Sequence, residues 1–177
     1  PETHPDAAAA LDGHMLDAAD VLFSWTIYSN PKVDCDEKRF MFEKITHGEL
    51  VDDLTVRFFY EEQYAFAKGA IGDSLTILPS HIYSLADTDN PEHDLNASLE
   101  QQAKHINENP HNQLWVGLGP YRVTQWTQQY VQAERFADEN GKCLYFDRDN
   151  AGYLDTIRWR YIDDDETSMN ALLNGEL

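Results

Sequence analysis

The sequence predicts an α+β fold, a mixed or antiparallel sheet with packed helices, on three observations. Helical and strand-like stretches follow one another without βαβ alternation. Gly119-Pro120 launches a strand that returns as Tyr130–Phe136, a hairpin rather than a crossover. Asp155–Ile162 then alternates Ile157, Trp159 and Tyr161 against Arg158 and Arg160, the period of a half-buried strand. At 177 residues the chain suffices for one ordinary domain, or for a subdomain with part of another.

Taken in order, residues 1–11 read as a loose tail carrying the alanine run Ala7–Ala10. Asp12-Gly13 is a turn. A helix starts at the N-cap Asp17 with Asp20 three residues on, an acidic capping box. Its apolar stripe is Val21, Trp25 and Tyr28 with Leu22 alongside, read as core rather than as an aromatic ligand platform. Asn30-Pro31 stops it, because the residue before proline avoids the helical region. Over 32–50, Phe40, Phe42 and Ile45 predict partly buried structure and Gly48 a break. Asp52-Asp53 turns into a strand at Thr55–Tyr60, with Val56, Phe58 and Tyr60 on one face.

A short helix is predicted over Tyr64–Ile71, closed by Gly72. The apolar run Leu75–Leu78 is stopped by Pro79. Residues 86–92 are loop chemistry, and Asn96–Ile106 reads as a helix on Leu99, Ala103 and Ile106. Asn107–Asn112 is again loop. In the hairpin Trp126 falls on the opposite parity from Tyr121 and Val123, so the face must switch or the pair must twist strongly. Asp138–Gly141 is a turn and Cys143–Phe146 a brief apolar run. The last helix begins in Asp163–Glu166, where the helix dipole favours negative charge. It presents Met169, Leu172 and Leu173, and Gly175 closes it.

Charge sets the partners that are excluded. Against 32 Asp and Glu stand 13 Lys and Arg, a net −19. Such a field repels a nucleic-acid backbone and an anionic membrane surface. It fits a soluble secreted protein or a halotolerant one without choosing between them. No run approaches the ~18 apolar residues of a membrane span. Pro1 leads to the expectation of a processed protein or a piece of a longer one. Cys35 and Cys143 are two free thiols or one long-range bridge.

No pattern specifies catalysis. None of the seven histidines has a partner at i, i+4, so no helical zinc pair is expected. Asp147–Gly152 begins like a calcium loop but has Ala151 at its fifth position and Arg158 at its twelfth. Gly117-Leu118-Gly119 lacks the third glycine of a dinucleotide fingerprint. Gly72-Asp73-Ser74 lacks the closing glycine of a nucleophile elbow. Carboxylate pairs are too frequent in so acidic a chain for one to be chosen as acid and base. Asn96-Ala97-Ser98 is a formal glycosylation sequence. No cofactor and no metal are expected.

Six stretches, in order, resemble the extracellular solute-binding proteins of the peptide/nickel/oligopeptide group, the receptors of ATP-binding-cassette importers. They are Asp12-Gly13 with Ala18–Trp25, Asp53–Phe58, Ile77–Tyr83, Gly119–Trp126 with Glu134-Arg135, Tyr153–Arg158, and Ala171–Glu176. Departures occur after Arg135, where Phe136–Gly141 replaces an asparagine-proline segment, and in the hairpin loop, where Gln128-Gln129 replaces a glycine.

The resemblance implies part of the first lobe of a two-lobed periplasmic-binding-protein-like fold, without the second lobe. Residues 1–116 would be the small subdomain and 117–177 the hairpin, strand and helix leading into the next section. Tyr121 and Trp126 would then pack at the seam. It implies a non-enzymatic receptor, periplasmic or extracellular, free or lipid-anchored, that delivers peptides or similar solutes to permease subunits. Asp73 and Ser74 are the implied wall of the ligand cleft. Two other readings remain: a sensing or scaffold domain of a regulator, and a small acidic hydrolase.

Overall fold

The computed structural model describes residues 14–113, 116–117, 119–137 and 152–175. They fall into two compact units, whose described parts run over 14–112 and from 113 onward. The turn at 138–141, the apolar run 143–146, Cys143 and the acidic loop 147–151 lie outside the described residues.

In the first unit, helix α1 (Ala18–Ser29) starts as its sequence predicts. The Asp17 carboxylate accepts the Ala19 and Asp20 N–H groups, and Asp20 returns the bond to the Asp17 N–H. Asn30 caps the other end. There the exposed carbonyls left by the last turn are met by Arg39 from the short helix α2 (Asp36–Arg39). One Nη donates to the Tyr28 and Asn30 carbonyls at 2.6 and 2.8 Å, and the other to Val33 at 2.8 Å. A helix C-terminus is thus satisfied by a cation, which also suits the dipole.

The stripe of α1 is wider than Val21, Trp25 and Tyr28. Two small clusters flank the helix. Ile27 packs with Val33, Ala103 and Ile106, and Phe23 joins that side. Tyr28 packs with Phe42, Ile45 and Leu75, joined by Val21 and Trp25. A helix with apolar residues on two sides lies between layers rather than on top of one.

Strands β1 (Ile45–Asp52) and β2 (Thr55–Tyr60) form an antiparallel hairpin. Gly48 lies inside β1, not at a break. Strands admit glycine where another group comes close, and a Cβ at Gly48 would stand 2.6 Å from Leu22 Cδ1 and 3.1 Å from Phe58 Cε1. Phe40 is exposed, unlike its neighbours Phe42 and Ile45.

Helix α3 (Ala67–Gly72) and the single turn α4 (Ser80–Tyr83) follow. Helix α5 (Leu99–Asn107) begins at a capping box of Ser98 and Gln101, a signal that lay unread in the sequence. Ala103 and Ile106 are buried as expected, but Leu99 at its first turn is exposed. Pro110–Asn112 is a 3₁₀ turn.

The second unit holds a three-stranded antiparallel sheet in the order β3 (Tyr121–Trp126), β4 (Tyr130–Arg135), β5 (Thr156–Arg160). The parity change before Trp126 is a register shift between Val123 and Gln125, the extra residue of a bulge, which also increases local twist. Helix α6 (Asp165–Leu173) has Asp164 as N-cap, its carboxylate accepting the Thr167 N–H at 2.8 Å. Gly175 takes φ +72°, the left-handed conformation that closes a helix. The residues expected to form its buried face, Met169, Leu172 and Leu173, are exposed, and Ala171 is buried instead. Both sheets are antiparallel, as the α+β class requires.

Candidate functional site

The segment singled out by the sequence, Asp73-Ser74, leaves the end of α3. The Asp73 and Ser74 N–H groups both donate to the Gly69 carbonyl, at 3.0 and 3.2 Å. Asp73 is exposed and Ser74 half-buried. Beyond them Leu75 enters the core, and residues 75–78 run extended without joining either sheet.

An extended segment outside a sheet must place its backbone groups elsewhere, and α1 supplies the partners. Asp20, Ser24 and Tyr28, at i, i+4 and i+8, lie along one side of that helix. The Leu78 N–H donates to Ser24 Oγ at 2.8 Å, and the Ser80 N–H to Asp20 Oδ1 at 2.7 Å. Tyr28 lies beside Thr76, which opposes the effect of burial on its hydroxyl. The sequence signal for this clamp was two polar residues at helical spacing beside an apolar stripe. They are easily passed over as a solvated edge, yet Asp20 and Ser24 are both buried.

Alongside the clamp lies a cleft of about 310 Å³. Ile27, Val33, Leu78 and Ile106 give it an apolar floor, while Thr76, Asp34 and Asn107 bring polar groups to its edge. That volume is at the low end of small-molecule sites. Asp73 and Ser74 do not line it. Its lining hydroxyl and thiol, those of Tyr28 and Cys35, are poor nucleophiles at neutral pH. Burial pushes up the Tyr28 hydroxyl, against the opposing effect of Thr76. Burial also pushes up the Cys35 thiol, which the nearby Arg39 guanidinium only partly offsets. A thiol must ionise to attack. Cys35 is a free thiol.

Among the described residues no group of three or more His, Cys, Asp or Glu is placed to hold a metal ion. His14 and His81 stack with centroids 3.9 Å apart. His105 sits 3.3 Å from a Glu92 oxygen, with its other nitrogen 3.1 Å from the Ile82 carbonyl oxygen. Both arrangements tie one loop to its neighbour. No helix of the described residues is long and apolar enough to cross a membrane.

Residues 11–177 match the family model described as "Bacterial extracellular solute-binding proteins, family 5 Middle". The chain belongs to family 5 of the bacterial extracellular solute-binding proteins. Among relatives in this family, the glutathione-binding protein GsiB of Pectobacterium atrosepticum is 29% identical over 167 residues. The match covers 93% of this chain and 27% of that protein. GsiB of Salmonella typhimurium is 27% identical over the same share of both. The chain therefore spans little more than a quarter of the length of the curated relatives it matches.

Of solved structures, the oligopeptide-binding protein AppA of Bacillus subtilis, in complex with a nonapeptide, superposes with a TM-score of 0.65 at 25% identity. It is covered over 29% of its length and this chain over 94%. NikZ of Campylobacter jejuni, in complex with Ni(L-His), has the same TM-score at 24% identity, with 94% of this chain and 28% of that one covered. The latter likeness is one of fold. The α+β expectation, and its refinement to part of a periplasmic peptide-receptor fold, are borne out.

Proposed function

We propose that this family 5 chain is a section of a substrate-binding receptor that captures peptides or similar solutes and delivers them to the permease of an ATP-binding-cassette importer. The observation that carries the reading is the family match along residues 11–177. The named ligands of the relatives at 25–29% identity, glutathione and a nonapeptide, support peptides as the solute class. The receptor works outside the cytoplasm, free or anchored, and performs no catalysis. The poorly nucleophilic Cys35 and Tyr28 are consistent with that.

In this reading 1–116 form the small subdomain of the first lobe, 117–177 lead into its next section, and Tyr121 and Trp126 pack at the seam. The division of the structure next to Gln113 supports such a boundary. Ligand capture is hinge closure of two lobes, and Asp73 with Ser74 contributes to the cleft wall from the first. What supports their role is their place at the end of α3, with Asp73 exposed and both N–H groups held by the Gly69 carbonyl.

Calorimetric titration of the full-length receptor with di- to nonapeptides and with metal chelates tests the function. Saturable binding of a peptide is the expected result, and no heat from either library refutes it. In the same protein Asp73→Ala and Ser74→Ala are expected to weaken binding. Unchanged affinity in both removes these residues from the site while leaving the receptor reading intact.

A further inference from the structure

The largest physical anomaly of the chain is its charge. If every Lys and Arg paired once, 19 carboxylates would still have no cationic partner, as the net −19 states. The described carboxylates lie on the surface, with Glu49, Asp87 and Glu134 half-buried and only Asp20 buried. Described ion pairs are few: Asp36–Arg39, Glu62–Lys44, Glu49–Arg57, Glu108–Lys104 and Asp155–Arg135, with Glu92 beside His105. Carboxylates also cluster in sequence, at Asp52-Asp53, Glu61-Glu62 and Asp163–Glu166. Hydrogen bonds hold Asp52 and Asp164 below the usual carboxylate range.

A second observation makes that charge consequential. Among the described residues apolar burial is modest: the two clusters of the first unit hold four buried residues each, and the largest fully buried side chain is that of Ser24. Self-repulsion of a charge this far from zero opposes compaction, and net fold stability is a small difference between large terms. A fold with little apolar burial has little to set against it.

We propose that the folded state of this chain is adapted to concentrated salt, with dissolved monovalent cations supplying the counter-charge that its 13 Lys and Arg do not. The screening length falls from about 10 Å at 0.1 M to about 3 Å at 1 M salt. Repulsion between neighbouring acidic turns is then removed, while contacts inside the two clusters are not weakened. Exposed carboxylates with few cationic partners support the halotolerant reading of the composition, which is compatible with a receptor outside the cytoplasm. The inference does not depend on the identity of the transported solute.

The test is urea and thermal unfolding of this chain in KCl from about 0.05 M to about 1 M, spanning that change of screening length. A second protein carries Asp34→Asn, Glu37→Gln, Glu43→Gln, Glu61→Gln, Asp89→Asn and Glu100→Gln. The wild-type midpoint is expected to climb with salt and flatten as screening completes. The neutralised protein should start higher in dilute buffer and gain clearly less. A wild-type midpoint independent of KCl overturns the proposal. So does an equal gain in both proteins, which would assign the effect to general salting-out of apolar surface. A Glu37→Lys, Glu61→Lys, Glu100→Lys protein gives a further reading: if it is no more stable than wild type in dilute buffer, self-repulsion is not the cause.

Discussion

Ser24 offers the sharpest test of the clamp that positions residues 75–80. It is fully buried, with 0% exposure, and its hydroxyl does two jobs. It donates to the Asp20 carbonyl one turn back, at 2.6 Å, and accepts the Leu78 N–H at 2.8 Å. Ser24→Ala removes only an oxygen, so the cavity it leaves is small. The dominant cost is a buried Leu78 N–H without its acceptor, about 1–3 kcal/mol. Better helix propensity of alanine returns at most about 0.5 kcal/mol.

A net loss of about 2 kcal/mol follows, which for a chain of this length lowers the thermal midpoint by roughly 4–8 °C. Urea unfolding should show a lower midpoint with an unchanged slope, since no surface is newly exposed in the folded state. Amide exchange at Leu78 should accelerate more than at Ile45, which sits in the core away from the hydroxyl. Ser29→Ala, on the exposed side of the same helix, is the control and should move stability by less than about 0.5 kcal/mol. If Ser24→Ala falls within that same margin and Leu78 exchange is unchanged, the clamp is not what holds the extended segment.

Three further outcomes follow from local geometry. Gly48→Ala is expected to destabilise by about 1–3 kcal/mol, because its Cβ would meet Leu22 at 2.6 Å. Gly72→Ala has nothing within 4 Å of the new carbon and should be neutral or stabilising by up to about 1 kcal/mol; equal losses in both would refute the contact argument. Burial pushes the Tyr83 hydroxyl up to about 12, so in the unfolded chain it ionises first, near 10. Its contribution to stability is present below about pH 10 and is lost as pH rises towards about 12. Absorbance titration should show that Tyr83→Phe removes the latest-titrating tyrosine, and a late phase unchanged in Tyr83→Phe would contradict it. Asp164→Ala should reduce helicity of α6 at neutral pH. With the folded carboxyl below its ordinary value, the cap acts above the unfolded pKa and fails as pH falls through the folded one. Helicity of Asp164→Ala should therefore be the less acid-sensitive of the two, and identical acid profiles would refute the cap.

The parts of the fold legible in the sequence are those governed by neighbours along the chain. Asp17 with Asp20, Asn30 before Pro31, the Asp52-Asp53 turn and the alternation of Ile157, Trp159 and Tyr161 each depend on residues within a few positions. The caps, the turn and the last strand appear where the pattern puts them, although Trp159 and Tyr161 are exposed and Tyr161 lies just past the strand end. Even the parity conflict at Trp126 was readable, although its resolution as a bulge needed the partner strand. What could not be read depends on distant partners. Gly48 looks like a breaker until Leu22 and Phe58 are seen against it. Arg39 looks like a surface cation until its fork is found on the end of α1. Leu99, Met169, Leu172 and Leu173 carry the right spacing for buried faces, yet spacing cannot say whether anything lies opposite, and they are exposed.

The site shows the same division more strongly. A family identity spread over six short stretches survives divergence, because each stretch encodes a turn, cap or strand start that the backbone requires. Pro79, which precedes the single turn α4, and Gly119-Pro120, which precede β3, are set by backbone geometry, whatever the receptor binds. Ligand chemistry has no such local signature. The segment that follows Asp73-Ser74 is held at Leu78 and Ser80, whose partners Ser24 and Asp20 lie 54 and 60 residues earlier. The apolar cleft beside them is assembled from residues between Ile27 and Asn112. Side chains that build the frame are thus under local rules, and those that would select a solute are not. A divergent relative can therefore keep the first set recognisable while its ligand changes, and substitutions at the exposed positions of α1, Thr26 and Ser29, should leave the frame intact.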